Sequence, residues 1–480
     1  MHLLAIGGSD GGISAALRAR ELDPSVDVTV MLADAYPNFS ICGIPYYLSG
    51  DVADWHSLAH RSRAHLEDLG ISLLTDTVAE RIDAAGHRVT AVGPGGPRQL
   101  SYDKLVIATG AVPARPPIVG LDQFAADDGV HQLHTMGDTH AVMATLTRRS
   151  VPAAVIIGAG YIGLEMAEAL TARGIAVTQL EQLPEVLPTL DAELGQVVAD
   201  ELRDHDVEVH TSTRVAAIEA EGDQLVVRCQ PADGSPAFPR RAGMVMVVTG
   251  VSPDSALAAA AGVETTPRGA IKVDRYMRTN LPDVFAAGDC VVTHHILLGE
   301  SYLPLGTTAH KQGRIAGENA LGGQRRFAGS AGTQAVKVFD LVAARTGIRD
   351  HEALAAGYQP RTVPSTAYDH KVYYPGAQTV HVHTTGDATT GRLLGVQMVG
   401  AIATAVHKRI DTAAAALFAG LGVEQLNDLD LSYTPPLGSP WDVLQAAAQQ
   451  WMDAGDRRGA GSASSAQRAE EAPDGVGGID

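Results

Sequence analysis

Residues 154–163 read AVIIGAGYIG, and this stretch decides the fold. The apolar run predicts a short buried strand, and the residues that follow predict a helix over 162–173. Gly158 allows the turn between them, Gly160 lets the backbone approach a pyrophosphate, and Gly163 lets helix and strand pack closely. The stretch therefore predicts the strand–turn–helix of a dinucleotide-binding α/β unit, with the anion at the start of the helix.

An acidic residue closes the strand that comes next. This strand, predicted over 175–180, is followed by Glu181. A carboxylate at this place accepts hydrogen bonds from both hydroxyls of an adenosine ribose. The next residues are Gln182 and Leu183, so no arginine follows to hold a ribose phosphate. We therefore expect this site to bind NADH in preference to NADPH.

A second, degenerate fingerprint lies at the N-terminus, where residues 7–12 read GGSDGG between a predicted strand and a predicted helix. Ser9 stands where the middle glycine is expected, and Leu32 stands where the acid is expected. Asp34 follows two residues later and is the candidate replacement for that acid. The residues predicted to hold a dinucleotide here are Gly7, Gly8, Gly11, Gly12 and Asp34.

Two later strands end in short motifs of small residues. Residues 102–110 read YDKLVIATG, and residues 284–289 read VFAAGD. Together with the two fingerprints, these motifs resemble the pyridine nucleotide–disulfide oxidoreductases, flavoproteins with two dinucleotide-binding domains, over about residues 1–452. The resemblance implies FAD on the first fingerprint. It also implies further cofactor-binding residues at Thr109, Gly110, Gly288 and Asp289, with Asp289 on the ribityl chain.

Composition narrows the function classes. The formal charge of −19 disfavours binding to phosphate backbones, so we expect no nucleic-acid partner. Three cysteines in 480 residues do not make a disulfide framework, which is typical of a reducing cytoplasmic protein. The most apolar windows, 153–170 and 412–421, are interrupted by glutamates or too short for a bilayer, so we expect no membrane span.

We predict an α/β fold, with two Rossmann-like dinucleotide-binding domains and a C-terminal α+β dimerisation domain. The FAD-binding domain takes 1–113 and 248–325, and the NAD(H)-binding domain, 114–247, is inserted between them. The dimerisation domain spans 326–452, with strands predicted near 335–339, 379–383 and 393–399 and a helix over 401–419. Residues 453–480 contain almost no large apolar side chains, so we predict a disordered tail.

One cysteine stands apart from the other two. Cys42 lies in NFSICGIPYY, residues 38–47. A helix that starts just after it is expected to lower the thiol pKa through the helix dipole and to make it a redox nucleophile. Position 47 is Tyr47, so the CxxxxC pair of the glutathione reductase-like members is missing. We expect Cys229 and Cys290 to be small buried fillers.

The pattern Cys-Gly-x-Pro-Tyr-Tyr is similar to the single-cysteine branch of the family. That branch contains coenzyme A-disulfide reductases, their persulfide-reducing relatives, and NADH oxidases and peroxidases. Residues 304–314 (PLGTTAHKQGR) and 337–340 (KVFD) also resemble it. Its oxidases and peroxidases carry an active-site histidine in the first glycine loop. That position is Asp10 here, which argues against the use of peroxide.

The C-terminal region carries two tyrosine motifs, YYPG at 373–376 and YTPP at 433–436. They resemble segments of coenzyme A-disulfide reductases, in which a tyrosine pair reaches across a homodimer interface to the cysteine of the partner. The resemblance makes Tyr374 and Tyr433 candidate proton donors to a leaving thiolate. The histidines show no metal-binding spacing, so we predict no metal site.

Three departures leave the electron acceptor open. Glu21 stands at a helix position that is basic in the coenzyme A-disulfide reductases, Ile41 replaces a polar residue, and residues 438–442 lack a lysine. The sequence therefore predicts an NADH-dependent FAD enzyme that reduces a small-molecule disulfide or persulfide through Cys42. The alternatives are an NADH oxidase or peroxidase that cycles through a sulfenic acid, and a non-enzymatic NADH-sensing flavoprotein.

Overall fold

The structure, a computed structural model, describes residues 1–455. These residues fall into two compact units, Met1–Ser330 and a second that begins at Ala331. In the described part of the chain no helix is long and apolar enough to cross a membrane.

The strands of the first unit are, in chain order, β1 His2–Ile6, β2 Asp27–Met31, β3 Ile71–Leu74, β4 Val78–Asp83, β5 Arg88–Gly93, β6 Gly96–Ser101, β7 Lys104–Ile107, β8 Ala111–Pro113, β9 Val130–His131, β10 Ala153–Ile157, β11 Ala176–Leu180, β12 Glu208–His210, β13 Thr213–Glu221, β14 Gln224–Pro231, β15 Phe238–Ala242, β16 Met244–Val247, β17 Val251–Pro253, β18 Val284–Ala286, β19 Thr293–His295 and β20 Gly299–Ser301. Its α-helices are α1 Asp10–Leu22, α2 Ile44–Ser49, α3 Arg63–Asp68, α4 Met136–Arg148, α5 Tyr161–Ala172, α6 Ala192–Asp204, α7 Ala256–Ala260 and α8 Gly306–Ala320. Short 3₁₀ helices cover Ile41–Gly43, Trp55–Leu58, Leu121–Gln123 and Ala126–Asp128.

Two five-stranded parallel sheets carry the two fingerprints. Their strand orders are β18-β7-β1-β2-β3 and β12-β11-β10-β16-β9, so the strand before each glycine loop is central. Ile6 lies opposite Met31 and Ile107, which brings the carboxyl ends of three strands to one edge, where such sheets bind ligands. The predicted α/β class with two Rossmann-like units is confirmed.

Helix α8 packs against α1 at backbone distance. A Cβ atom on Gly313 would lie 2.3 Å from the carbonyl oxygen of Gly11, and one on Gly317 would lie 2.2 Å from that of Ala15. Both distances are far below van der Waals contact, so glycine alone lets the two helices approach this closely. As a consequence, the first turns of α8 lie beside the glycine loop that precedes α1.

The second unit contains one antiparallel sheet in the order β21-β22-β25-β24-β23. Its strands are β21 Gln334–Val338, β22 Leu341–Gly347, β23 Pro360–Tyr368, β24 Thr379–Asp387 and β25 Leu393–Ala401. Its helices are α9 Asp350–Ala355, α10 Val406–Ala419 and α11 Val423–Asn427, with a 3₁₀ helix Ile402–Thr404 and a further helix, α12, over 443–455.

Two predictions about the second unit need correction. The helix predicted over 401–419 begins only at Val406, because Ala405 has a φ of +54° and separates it from the preceding 3₁₀ turn. The tail predicted to be disordered, 453–480, is helical in its first three residues. The rest of that tail lies outside the described residues.

Candidate active site

The second fingerprint forms a cradle at the start of α5. Gly158 has a φ of +106°, which favours glycine, and a Cβ on Gly163 would lie 2.0 Å from the carbonyl oxygen of Gly158. A Cβ on Gly160 would meet no atom within 4 Å, and no side chain caps the first turn of α5. The backbone amides of this turn are therefore well placed to bind a pyrophosphate.

Glu181 is buried against this glycine loop. It is 6% exposed, and its carboxylate accepts hydrogen bonds from the amides of Ala159 at 2.7 Å and Leu183 at 2.9 Å. These bonds fix its position, and each carboxylate oxygen retains a further lone pair for a hydroxyl donor. Contact with the nucleotide ribose stays a prediction.

The first fingerprint has the same shape. A Cβ on Gly7 would lie 1.9 Å from a backbone carbonyl oxygen, and so would one on Gly12. Ser9 occupies the N-cap position of α1 but makes no side-chain cap, so the amides of that first turn remain available to an anion. The serine thus leaves the helix start as open as glycine would.

A buried asparagine that the sequence analysis missed lies behind this loop. Asn38 is 1% exposed, and its backbone amide donates to the carbonyl oxygen of Gly8 at 2.8 Å. Its side-chain nitrogen and oxygen find no hydrogen-bond partner among the described residues. Because the polar side-chain atoms of buried residues normally have a hydrogen-bond partner, this side chain fits a role in holding FAD. Its φ of +61° is a conformation that asparagine tolerates, and the sequence itself carries no motif that marks this residue.

The other predicted FAD residues lie at the same sheet edge. Asp34 follows β2 and accepts the amide of Tyr36 at 2.9 Å, and burial raises the pKa of this carboxyl. The hydroxyl of Thr109 donates to the backbone carbonyl of Asp254, and the carbonyl oxygen of Gly110 accepts the Asp254 amide at 3.0 Å. These contacts brace the two residues, and their contact with the cofactor stays a prediction.

A side chain of α8 holds the Gly-Asp motif that follows β18. The amide of Gly288 donates to Oε1 of Gln312 at 3.0 Å, and Gln312 is fully buried. Burial raises the pKa of the half-buried Asp289 to about 6, and the nearby Asp10 adds to the rise. The motif therefore presents a carboxyl that readily holds a proton.

Cys42 lies in the 3₁₀ helix Ile41–Gly43, directly before α2. Helix α2 packs against α5, so the second fingerprint positions the segment that carries the cysteine. The Cys42 side chain is exposed, whereas Cys229 and Cys290 are 1% and 0% exposed. Burial raises the pKa of each buried thiol to about 11. The prediction that these two are buried fillers is confirmed.

The expected lowering of the Cys42 pKa is wrong. Crowding by protein atoms raises the pKa of this thiol, and the carboxylates of Glu165, Asp10 and Asp289 raise it further. Helix α2 does begin just after the cysteine, but it has only six residues. Burial, with the three carboxylates adding to it, therefore sets the direction of the shift at the start of so short a helix.

Asp10 also lies close to two histidines from distant parts of the chain. Nε2 of His310 in α8 is 3.3 Å from a carboxylate oxygen of Asp10, and His60 completes the group. No pattern in the sequence brings these three residues together, because they belong to three separate segments. The structure thus places two imidazoles beside Asp10, the loop position at which the sequence has no histidine.

In the second unit the two tyrosine motifs lie side by side. The amide of Lys371 donates to the carbonyl oxygen of Pro435 at 3.3 Å, and the hydrogen bond that the Tyr373 hydroxyl donates to Tyr433 raises the pKa of Tyr373. The partner of Tyr433 is therefore Tyr373. The predicted Tyr374 instead packs edge-on against a histidine ring. Two adjacent tyrosines in one motif could not be told apart from sequence.

These motifs also form an exposed apolar surface. Tyr373 is 74% exposed and Leu437 78% exposed, and Val372 and Trp441 are exposed beside them in sequence. Exposed apolar groups of this size, next to stiff proline-containing turns, are typical of a protein interface.

Comparison with known proteins identifies the family. Residues 1–313 match the pyridine nucleotide-disulphide oxidoreductases, and residues 333–443 match the dimerisation domain of the same family. The two matches cover both fingerprints, Cys42, the Gly-Asp motif, and Tyr373 and Tyr433.

Individual relatives align over nearly the whole chain. It is 33% identical to the NAD(P)H coenzyme A polysulfide/persulfide reductase of Pyrococcus horikoshii, across 93% of this chain and 97% of that one. It is 30% identical to the NADH oxidase of Methanocaldococcus jannaschii, across 94% and 98%. The solved NAD-dependent persulfide reductase from A. fulgidus is 38% identical, with a TM-score of 0.89 over 96% of this chain and 84% of that one. The chain therefore belongs to the pyridine nucleotide-disulphide oxidoreductases, an enzyme family that uses FAD and NAD(P)H.

Proposed function

We propose that this chain is a homodimeric enzyme that uses NADH and FAD to reduce a small-molecule disulfide or persulfide through Cys42. The exposure of Cys42, on a segment packed against the helix of the NADH fingerprint, is the observation that carries the proposal. Cys229 and Cys290 are buried in the core and cannot reach a substrate. Relatives named for persulfide reduction support the same class of acceptor.

FAD, when bound, supplies the transfer of two electrons from NADH to sulfur. The residues that would hold it are the first glycine loop, Asn38, Asp34 and the Gly-Asp motif. Cys42 does the sulfur chemistry: its thiolate attacks the sulfur–sulfur bond of the substrate, forms a mixed disulfide and releases one thiolate. Two electrons then cleave the mixed disulfide, which restores the Cys42 thiolate and releases the second thiolate.

The raised pKa of Cys42 is compatible with this cycle. Reduction of a mixed disulfide delivers Cys42 directly as a thiolate, so the enzyme need not ionise the thiol before each attack. Burial and, after it, the surrounding carboxylates disfavour a long-lived thiolate and so favour its rapid attack on the next substrate.

We place the tyrosine pair at the dimer interface, with Tyr433 as the proton donor from the partner subunit. The match of 333–443 to a dimerisation domain and the exposed apolar surface support this arrangement. The hydrogen bond between Tyr373 and Tyr433 would orient the phenol. We assign the orienting role to Tyr373 and none to Tyr374.

We retain the division into three domains. The NAD(H)-binding domain, 114–247, is inserted between the two parts of the FAD-binding domain, 1–113 and 248–325. The sheets support this division, because β18 returns to the first sheet after β9–β12 and β16 have formed the second. Residues 326–452 form the dimerisation domain. Preference for NADH rests on Glu181.

A second candidate is an NADH oxidase that reduces oxygen. The M. jannaschii relative carries that name, and the imidazole of His310 lies beside Asp10, at the loop position where oxidases are expected to carry a histidine. NADH oxidation with oxygen as the sole acceptor, at a rate equal to that with any disulfide, would favour it.

The direct test is Cys42→Ser, assayed with NADH against a panel of small disulfides, persulfides, peroxide and oxygen. NADH should still bleach the flavin, because hydride transfer needs no thiol, and disulfide turnover should vanish. Cys229→Ala is the matched control and should turn over normally. Near-normal disulfide turnover in Cys42→Ser would contradict the single-cysteine mechanism.

A further inference from the structure

Asp10, His60 and His310 form a compact acid–base cluster in the first unit. Asp10 is the first residue of α1, His60 follows the 3₁₀ helix Trp55–Leu58, and His310 lies in the second turn of α8. One nitrogen or oxygen atom of each lies within 4.8 Å of the others, and Nε2 of His310 is 3.3 Å from Asp10.

The imidazole of His310 is held from both sides. Its Nδ1 lies 2.9 Å from the hydroxyl oxygen of Ser14, which is 7% exposed. This bond directs Nε2 toward Asp10. The Asp10 carboxylate in turn lies against the start of α8, since a Cβ on Gly306 would be 3.0 Å from it. That position suits a carboxylate, because the helix dipole is positive there.

The cluster is electrostatically linked to Cys42. The backbone amide of His60 donates to the carbonyl oxygen of Asn38, four residues before Cys42, at 2.9 Å, and the ring centroids of His60 and His310 lie 5.9 Å apart. Burial raises the pKa values of both Cys42 and Asp289, and the Asp10 carboxylate adds to each rise. The His310 and His60 imidazoles oppose the rise that burial causes in the pKa of Asp10.

We infer that His310, held by Asp10 and Ser14, donates a proton to one of the two thiolates released in each turnover, within the subunit that carries Cys42. The inference rests on the proposed function and adds a second proton donor to it. A new sulfur anion is unfavourable among these carboxylates, so its protonation on departure removes a barrier. His310 is 43% exposed, so it can reach a substrate and recover a proton from water.

The overall balance is NADH + H⁺ + RSSR′ → NAD⁺ + RSH + R′SH. Attack by Cys42 forms its bond to the RS sulfur, breaks the bond between the two substrate sulfurs and releases R′S⁻. Two electrons from NADH then break the bond between Cys42 and RS and release RS⁻. His310 gives its Nε2 proton to one of these thiolates and is recharged from solvent. The hydrogen that leaves NADH accounts for the proton on the other thiol.

The test compares two disulfides on the FAD-loaded His310→Gln enzyme, in buffer with EDTA so that no bound cation contributes. 2-Hydroxyethyl disulfide releases a basic alkyl thiolate that needs a proton. 5,5′-Dithiobis(2-nitrobenzoate) releases a weakly basic aromatic thiolate that needs none. We expect turnover of the alkyl disulfide to fall about 10²-fold or more and that of the aromatic one to fall less than about three-fold. His56→Gln, which alters another histidine paired with an aspartate, is the matched control.

A second measurement does not depend on turnover. In the NADH-reduced enzyme, the rate of Cys42 alkylation by iodoacetamide as a function of pH reports the thiol titration. Both His310→Gln and His56→Gln should keep the wild-type midpoint, so that a loss of turnover in His310→Gln is not a loss of the Cys42 thiolate.

Equal losses with both disulfides, or a Cys42 midpoint that rises in His310→Gln, would overturn the inference for His310. Those results would leave the proposed function standing. Full turnover of both disulfides by Cys42→Ser would instead remove the proposed function, whatever His310 does.

Discussion

Replacement of Glu181 by glutamine tests whether this carboxylate selects NADH. The side chain is 6% exposed and accepts the amides of Ala159 and Leu183. We expect its remaining lone pairs to accept the ribose hydroxyls of NADH and its charge to repel the extra phosphate of NADPH. Glu181→Gln keeps the shape of the side chain but removes the charge and one acceptor.

The magnitude has two parts. In the glutamine side chain an NH₂ donor replaces one carboxylate oxygen. One of the two backbone amides therefore loses its acceptor, which costs about 1–3 kcal/mol in the free energy of unfolding. Loss of a charged acceptor for the ribose costs about 1.5–3 kcal/mol in transition-state binding. At about 1.4 kcal/mol per factor of ten, the second part lowers kcat/KM for NADH roughly 10- to 150-fold. The efficiency with NADPH should hold or rise, because the repulsion is gone.

The assay is steady-state kcat/KM with NADH and with NADPH at a fixed acceptor concentration, normalised to bound flavin. Glu193→Gln is the control, because Glu193 is an exposed acid in the first turn of α6. Thermal unfolding of both variants separates damage to the fold from loss of recognition. Equal wild-type efficiency with the two nucleotides, or an equal loss with both in Glu181→Gln, would show that Glu181 only braces the loop.

Three more predictions follow from the geometry. Tyr433→Phe should slow substrate reduction about 10²- to 10⁴-fold, or less if another proton donor compensates, and should leave flavin reduction by NADH unchanged. If the phenol acts in trans, mixing Tyr433→Phe chains with Cys42→Ser chains should restore activity. Mixed dimers that form and stay inactive would refute that arrangement. Burial lowers the pKa of His131 to about 4, so the unfolded chain binds an extra proton below about pH 6.5. Stability then falls by up to ~3 kcal/mol as the pH drops to about 4, and thermal unfolding of His131→Gln should show a smaller drop. Gly317→Ala, whose Cβ would lie 2.2 Å from a carbonyl oxygen of α1, should lower the Tm at a cost of about 1–3 kcal/mol, whereas Gly137→Ala in α4 meets only an ordinary contact and should not.

Local patterns were enough to predict the cofactor loops. The spacing of Gly158, Gly160 and Gly163 after an apolar run predicts a strand and a helix, and the structure has them within one residue of the predicted limits at Ala153–Ile157 and Tyr161–Ala172. This works because turn geometry and hydrophobic periodicity depend on neighbours along the chain. The same reasoning predicted the fold class and the burial of the two other cysteines.

The chemistry around Cys42 depends on tertiary structure. The helix dipole is a local effect and predicted a lowered thiol pKa. Burial instead raises this pKa, and the carboxylates of Glu165 and Asp289 raise it further from positions far away in sequence. The pairing of Tyr433 with Tyr373 and of His310 with Asp10 likewise joins separate segments. Electrostatic energy depends on distance in space, and the sequence does not contain that distance until the chain has folded.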